Sequence, residues 1–332
     1  MRRLKEYLQY LALLLPLSVI RRLPRRSLSV LAQLAAATAY PFPGIGKLID
    51  ANLKTVFPDW DAKKRRQVGR RSLKNLFWNM LELLWTNGRA DRIERCYQAT
   101  PELKKAMRDY GEKHIALILV NPHLGSWEAS GVMAAHYLPT PLVAVAKPVH
   151  NPRINQLLNV QVRQLVPGME IVFSRGAVRA SLAALKAGKN LGLLVDQNTR
   201  LRDGGVWVDW CGLPVASSTS PALLKRYCDQ HQIPAELLCG VSLRRPDGVI
   251  EAHVEKLPRP FAEYADDREV LQDLMKLTEQ LARRYPEQYL WLYRRFAHIP
   301  PDCPPEIRSR YPAYARVPGS KFFVKKLGEP KS

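Results

Sequence analysis

Three short runs of apolar residues, each followed by a polar loop and then a segment of helical character, constrain the fold of this chain most. They are residues 115–120 (IALILV), 142–147 (LVAVAK) and 191–195 (LGLLV). Apolar runs of this length without polar alternation are typical of strands that are buried on both faces of a sheet. Strands that alternate with helices favour an α/β fold. We therefore predict a mixed sheet flanked by helices.

The sequence between and after these runs continues the alternation. Ser126 suits the N-cap of a helix, and Gly188 suits the position just beyond a helix C-terminus. A hairpin is predicted around the turn sequence at 245–248. Helices are predicted at 126–137, 152–165, 176–187, 220–230 and 267–285, and further strands at 170–173, 206–210, 235–243 and 249–255.

Before residue 115 the pattern is helical throughout, so the chain divides into regions. We expect a membrane anchor at 1–27, a folded domain at 28–299, and a basic tail at 300–332 that is irregular and lies on the surface. The folded domain comprises a helical region, 28–112, and an α/β core, 113–299. Helices of the helical region are predicted at 29–40, 47–57, 61–88 and 101–109.

The five cysteines are scattered along the chain. They form no CxxC pair and no Cys/His cluster with zinc spacing. This argues against a structural metal site and predicts reduced thiols. A chain of this length also buries a sizeable core without disulfides.

The net charge of +21, from 51 Lys and Arg against 30 Asp and Glu, favours a polyanionic partner. Nucleic acid, anionic lipid headgroups and an acidic protein are the three classes. Residues 7–20 form an apolar run between arginines, but the run is too short to span a bilayer and Pro16 interrupts it. We prefer a shallowly inserted anchor on a cytoplasmic membrane face, with a buried core helix as the alternative.

The chemistry points to the loop after the first buried strand, where His123 precedes Glu128 by five residues. A loop that folds back can bring the Glu128 carboxylate to Nδ1 of the imidazole, which leaves Nε2 as a general base for a substrate hydroxyl. The spacing alone is weak evidence. A structural loop histidine and a glutamate that favours the helix dipole are the alternatives.

Ligands of α/β sheets bind beyond the carboxyl ends of the strands. Asp196 and Gln197 follow the strand at 191–195, and Asn121 follows the strand at 115–120, so we predict that all three bind substrate at this edge. Arg175 precedes a helix, where its guanidinium can meet a phosphate or a thioester oxygen. Local turn or capping roles are the alternative for Arg175, Asp196 and Gln197.

Several blocks together resemble one family, the late acyltransferases of lipid A assembly, which are the lauroyl and myristoyl transferases of Gram-negative bacteria. NPHLGSWE (121–128) is similar to the H-x-x-x-x-D/E block of the family and of the wider lysophospholipid acyltransferase-like superfamily. Two departures are Lys147, where arginine is usual, and Tyr293, where histidine is common. Supporting blocks follow in the family's order: ANLKTVFPDW (51–60), AKPVHNPRIN (146–155), FSRGAVRASLAALKAGKNLGLLVDQN (173–198) and PEQYLWLYRRF (286–296).

The resemblance implies a glycerolipid acyltransferase-like α/β fold and transfer of a fatty acyl group from acyl carrier protein to a hydroxyl of a phosphorylated lipid A precursor. It implies that His123 is the base, that Glu128 orients it, and that Arg175 contacts phosphate or developing negative charge. Acyl carrier protein, a phosphorylated glycolipid and a membrane surface are the expected partners, at the cytoplasmic face of the inner membrane. No metal, nucleic acid or cofactor is expected beyond the phosphopantetheine that carries the acyl group.

Three other interpretations stay open on the sequence. The acceptor of the acyl group can be a different lipid, such as a phosphatidylinositol mannoside or a lysophospholipid. A nucleic-acid-binding protein explains the charge but neither His123 with Glu128 nor the apolar N-terminus. A membrane scaffold without catalysis explains the anchor and the charge alone.

Overall fold

The structure is a computed structural model. It describes residues 6–7, 9–11, 17–86, 89–163, 166–173 and 176–324, without the side chains of 160–163. Much of the predicted anchor, including residues 12–16, therefore lies outside the described residues, and so does Arg175.

A seven-stranded sheet forms the centre of the molecule, and a separate two-stranded antiparallel ribbon packs beside it. The order across the sheet is β1-β9-β8-β2-β5-β3-β4. Only the β8–β9 pair is antiparallel, so β1 and β9 run against the other five strands, and the predicted mixed sheet flanked by helices is confirmed. The strands are β1 (Tyr97–Ala99), β2 (Ala116–Asn121), β3 (Leu142–Ala146), β4 (Met169–Phe173), β5 (Asn190–Leu194), β6 (Gly205–Trp210) and β7 (Leu213–Ser218) of the ribbon, β8 (Ala235–Arg244) and β9 (Ile250–Lys256).

Helices cover both faces of the sheet. Of the helices whose bounds lie within the described ranges, four precede the first strand. The described helices are α1 (Arg25–Ala39), α2 (Pro43–Val56), α3 (Ala62–Thr86), α4 (Ala90–Cys96), α5 (Pro101–Glu112), α6 (Trp127–Tyr137), α7 (Pro152–Asn155, continued by a π-helix over Gln156–Arg163), α8 (Ala177–Lys186), α9 (Ser220–Gln230), α10 (Asp267–Arg284) and the short α11 (Pro305–Arg308). The predicted helix over 152–165 is thus α-helical for only one turn.

Strand β2 shows why the apolar runs lack polar alternation. All six of its residues are buried. Ile118 and Val120 pack into the core on one face of the sheet, whereas Leu117 and Leu119 pack into a second core on the other face. Since successive strand residues point to opposite faces, a strand that is covered on both sides must be apolar throughout.

The structure corrects the sequence interpretation in the connecting regions. Strands β1 and β7 and helix α4 were not predicted, because β1 has only three residues and β7 carries polar serines at its end. The segment after Pro300 is predicted as an irregular surface tail, but as far as Val324 it includes the short helix α11 and is not confined to the surface. Tyr311 and Phe322 are buried, and the Tyr311 hydroxyl donates to the Pro214 carbonyl.

No single helix within the described ranges is long and apolar enough to cross a membrane. Helices α1 and α2 reach the necessary length and hydropathy only as a pair, and they meet at a bend of 95°.

Candidate active site

The loop that carries His123 is fixed by backbone hydrogen bonds to two other parts of the chain. The His123 carbonyl accepts from the Leu290 N–H at 2.9 Å, and the Gly125 N–H donates to the Gln288 carbonyl at 3.0 Å. The Ser126 N–H donates to the Ser242 carbonyl of β8 at 2.7 Å. Ser126 does occupy the N-cap position of α6, but its side chain makes no capping hydrogen bond.

Gly125 is required in this loop. Its φ is +64°, in the left-handed region, and a Cβ atom there would lie 2.0 Å from the Ser242 carbonyl oxygen. No side chain fits at that distance. The loop can therefore approach β8 only because residue 125 has no side chain.

Helix α3 holds the same loop from the other side through buried polar residues. The side-chain amides of Asn75 and Asn79 both donate to the Gly125 carbonyl. One turn further, Glu82 is fully buried and binds Arg244 of β8 at 2.7 Å. Its second oxygen accepts from Arg25 of α1 at 2.9 Å. Nothing in the sequence singled out these residues, because a polar stripe on a helix ordinarily faces solvent.

The partner of the imidazole is Asp196. Nδ1 of His123 lies 2.6 Å from Oδ1 of Asp196, and the His123 backbone N–H donates to Oδ2 at 2.8 Å. The pairing of β2 with β5 places Asn121 opposite Leu194. His123 and Asp196 each lie two residues beyond that matched pair, which is why they meet.

The surroundings keep Asp196 ionised. Burial by itself raises the pKa of this carboxyl, but the charge and the two hydrogen bonds of His123 outweigh burial, and Arg295 adds to them. The pKa of Asp196 therefore lies below its ordinary value. Burial, together with the neighbouring Asp196 charge, raises the pKa of Tyr289 well above its ordinary value, so this phenol stays neutral beside the carboxylate.

An ionised Asp196 fixes the tautomer of the imidazole. Nδ1 then carries the proton and donates to the carboxylate, which leaves a lone pair on Nε2. The side-chain nitrogen of Gln197 lies 3.2 Å from Nε2. Nε2 is thus presented as a hydrogen-bond acceptor, the form a general base requires.

Glu128 is not the residue that holds Nδ1, contrary to the sequence interpretation. It lies in the first turn of α6 and lines a cavity that His123 also lines. The reason is geometric: five residues separate His123 and Glu128, and the adjacent strand β5 already presents Asp196 to the imidazole.

The cavity beside His123 has a volume of about 550 Å³ and mainly apolar walls. His123, Glu128 and Gln197 contribute polar groups, as does Asn121, whose side-chain amide also donates to the Gly240 carbonyl at 2.8 Å. The apolar walls come from strands β3, β4 and β5 and from α6, and they include Leu142, Ala144, Met169, Ile171, Leu193 and Trp127. Such a cavity suits a hydrocarbon chain, and His123 forms part of its wall.

The two departures from the family pattern have visible places in the structure. Lys147 lines the same cavity at the end of β3. The Tyr293 hydroxyl accepts from the Asn198 backbone N–H at 2.8 Å and so fixes the segment that follows Asp196 and Gln197. Arg295, which sequence reasoning did not select, is buried and donates to Ser217 at 2.6 Å.

Comparison with known proteins identifies the family of this chain. A family model described as bacterial lipid A biosynthesis acyltransferase matches residues 1–298. The chain is 26% identical over 263 residues to the lipid A biosynthesis palmitoleoyltransferase of Escherichia coli, which covers 75% of this chain and 78% of that protein. It is 24% identical over 271 residues to the lipid A biosynthesis lauroyltransferase of the same organism, covering 80% and 82%. The chain therefore belongs to the bacterial lipid A biosynthesis acyltransferase family.

Proposed function

We propose that this protein is an O-acyltransferase that moves a fatty acyl group from the thioester of acyl carrier protein to a hydroxyl of a phosphorylated lipid A precursor. The observation that carries the proposal is the His123–Asp196 pair, whose imidazole lines a mainly apolar cavity. A nucleophilic hydroxyl, a base and a place for an acyl chain are the three requirements of the reaction. Family membership supports the lipid A precursor as the acceptor.

In the proposed step, Nε2 of His123 takes the proton of the acceptor hydroxyl while the oxygen attacks the thioester carbonyl carbon. The new C–O bond forms, the C–S bond breaks, and the imidazolium gives its proton to the departing thiolate. Asp196 stabilises the imidazolium electrostatically and holds the ring in the tautomer that exposes Nε2. No step requires a metal or a further cofactor.

Five groups act around this pair in the proposal. Gln197 occupies the hydrogen-bonding position on Nε2 that the acceptor hydroxyl takes when substrate binds. Glu128 and Asn121 lie in the wall of the acyl cavity, where they contact substrate. Helix α6 begins at Trp127, whose ring lies 5.2 Å from that of His123, so the positive end of its dipole faces the developing oxyanion. Arg175 keeps its proposed role as a phosphate or oxyanion contact.

We also propose association with the cytoplasmic face of the inner membrane. Val30 and Leu34 on α1 and Phe42 in the following turn are between 58% and 64% exposed. Val30 and Leu34 lie one turn apart on the same face of α1, and a patch of neighbouring exposed apolar residues, unlike single scattered ones, marks a contact with lipid or protein. The charge of +21 attracts anionic headgroups and the acidic carrier protein alike.

The test is mass spectrometry of a labelled lipid A precursor after incubation with acyl carrier proteins that carry different chain lengths. We expect a mass increase of one acyl group, and a loss of about 10²- to 10⁴-fold in turnover in the His123→Ala variant. Parallel assays with a lysophospholipid and a phosphatidylinositol mannoside identify the acceptor. If the variant keeps wild-type turnover, the proposed mechanism is wrong.

A further inference from the structure

A second cavity, of about 660 Å³, lies between the segment that follows β5 and the chain beyond residue 297. Four cationic side chains line it: Arg200, Arg294, Arg316 and Lys321. None of its lining residues within the described part of the chain is acidic. Like charges in one concavity repel each other, so this arrangement is stabilised when an anion enters.

Within the part of the chain that the structure describes, three of these four cations have no carboxylate partner. Arg200 binds Asp203 at 2.6 Å. Arg316 donates to the carbonyl of Ala315 at 2.6 Å, and the Arg294 guanidinium lies 5.8 Å from the ring centre of Tyr314. Neither of these two, nor Lys321, forms an ion pair with any residue that the structure describes.

The cavity is joined to the catalytic residues through a short piece of chain. The Gln197 side chain reaches Nε2 of His123, and the next residue, Asn198, donates its side-chain amide to the Arg294 carbonyl at 2.9 Å. Arg200 follows two residues later. Three residues of extended chain span at most about 10 Å. The backbone of Arg200, whose side chain lines the cavity, therefore lies within about 10 Å of the backbone of Gln197, which contacts His123.

Part of the cavity is built by a segment that the family match does not reach. The match ends at residue 298, whereas Arg316 and Lys321 lie beyond it. The buried ring of Phe322 holds this segment in place, because its centre lies 4.5 Å from that of His298 and 5.8 Å from that of Trp207.

We propose that this cavity is a subsite for a phosphate ester of one of the two substrates, an inference that rests on the proposed acyl transfer. Arginine forks bind phosphate oxygens in pairs, and lysine adds a point charge. A concave site of this size suits a single headgroup better than the helical surface of a carrier protein. The phosphate belongs either to the sugar of the acceptor or to the phosphodiester of the donor's phosphopantetheine arm.

The experiment compares the full-length chain with Lys321→Gln, Arg294→Gln and the double variant. Lys105→Gln on α5 is the matched control, because it removes one exposed charge and contributes nothing to the cavity. KM and kcat are measured for the carrier-protein donor, for the phosphorylated acceptor and for the same acceptor after its phosphate is removed.

We expect the double variant to raise one KM about tenfold, as the loss of a charge-assisted hydrogen bond predicts, with kcat unchanged. If the phosphate of the acceptor occupies the cavity, the double variant has a raised KM for the acceptor, and this increase disappears with the dephosphorylated acceptor. If the phosphodiester of the donor occupies the cavity, the double variant has a raised KM for the donor instead. Unchanged values for both substrates overturn the proposal.

A binding measurement separates this inference from the proposed function. ³¹P NMR titration of inorganic phosphate with the wild-type chain and the double variant needs no turnover. If no acyl transfer occurs but the double variant binds phosphate about tenfold more weakly, the proposed function fails and the anion site stands. Equal affinity of the two chains for phosphate would contradict the proposed phosphate subsite.

Discussion

At the scale of single residues, the reactivity of His123 depends on which carboxylate holds its ring. The structure gives this role to Asp196 through two hydrogen bonds, one to the ring and one to the backbone. Glu128 lies in the cavity wall instead. A neutral amide at position 196 accepts through only one oxygen and no longer stabilises an imidazolium.

We therefore predict that Asp196→Asn lowers turnover by about 10²- to 10⁴-fold while the protein stays folded. Proton NMR provides the decisive measurement, because the Nδ1 proton of His123 resonates far downfield when a buried carboxylate accepts it. That signal should vanish in Asp196→Asn and persist in Glu128→Gln. If the signal instead persisted in Asp196→Asn and vanished in Glu128→Gln, Glu128 would be the residue that orients the imidazole.

Gly125 provides a second prediction at this scale. Gly125→Ala forces a Cβ against the Ser242 carbonyl, so the catalytic loop must shift and turnover should fall at least about tenfold, as misplaced catalytic groups lose rate steeply. Gly188→Ala is the control, since its φ of +70° imposes the same strain with nothing within 4 Å. The control should lose about 1–2 kcal/mol of stability and keep its kcat. Equal kcat values in the two variants would contradict this account.

At the scale of elements, α3 connects the N-terminal helices to the catalytic loop through buried charge. Glu82 is fully buried between Arg244 and Arg25, and Arg244 also donates to Asn79 at 2.8 Å. Glu82→Gln leaves both guanidinium groups without their counter-charge. We predict a loss of about 3–5 kcal/mol in the free energy of unfolding, measured by urea denaturation.

The matched control is Glu170→Gln. Glu170 binds Lys189 at 2.7 Å, but this pair is largely exposed to solvent, so the same chemical change should cost less than about 1 kcal/mol. Similar losses in the two variants would show that the buried network does not hold α3 against the sheet.

Strand β5 sets the shape of the cavity beside His123 as well as the position of Asp196. Gly192 lines the cavity, and a Cβ there would lie 3.7 to 3.9 Å from Leu142 and Ala144. Gly192→Val therefore fills space without a backbone clash. We predict a preference for shorter acyl chains, seen as a raised ratio of kcat/KM for a short-chain over a long-chain carrier-protein thioester. An unchanged ratio would place the acyl chain elsewhere.

At the scale of the whole molecule, the proposed membrane binding combines the charge of +21 with the exposed apolar residues at the α1–α2 bend. We predict that Leu34→Ser combined with Phe42→Ser weakens binding to anionic vesicles at least about tenfold in a flotation assay, since each side chain gives up favourable transfer into lipid. Added salt should weaken the binding of both chains. Val178→Ser with Leu223→Ser, two exposed apolar residues on α8 and α9, is the control.

A double variant that still floats with the vesicles would contradict the proposed contact at the α1–α2 bend. Because both side chains are exposed, the substitutions should leave the fold intact, which circular dichroism verifies.

The sequence by itself determined much of the local structure and singled out the loop that carries His123. Strand β2 had to be buried on both faces because it has no polar alternation. Gly188 suits the position just after a helix because glycine adopts a positive φ, such as the +70° found there, without strain. The loop position of His123 and the family resemblance predict that this residue is the base. These signals are local, so neighbouring residues are enough to produce them.

Tertiary structure alone decided which carboxylate serves His123 and what the last segment of the chain does. Strand order is a matter of non-local pairing, and the sequence does not state that β2 lies between β5 and β8. Once β5 pairs in parallel with β2, with Asn121 opposite Leu194, Asp196 must meet His123. The same holds for the aromatic residues beyond Pro300. Tyr311 and Phe322 are buried only in the folded chain, because burial depends on contacts with residues that are distant in the sequence.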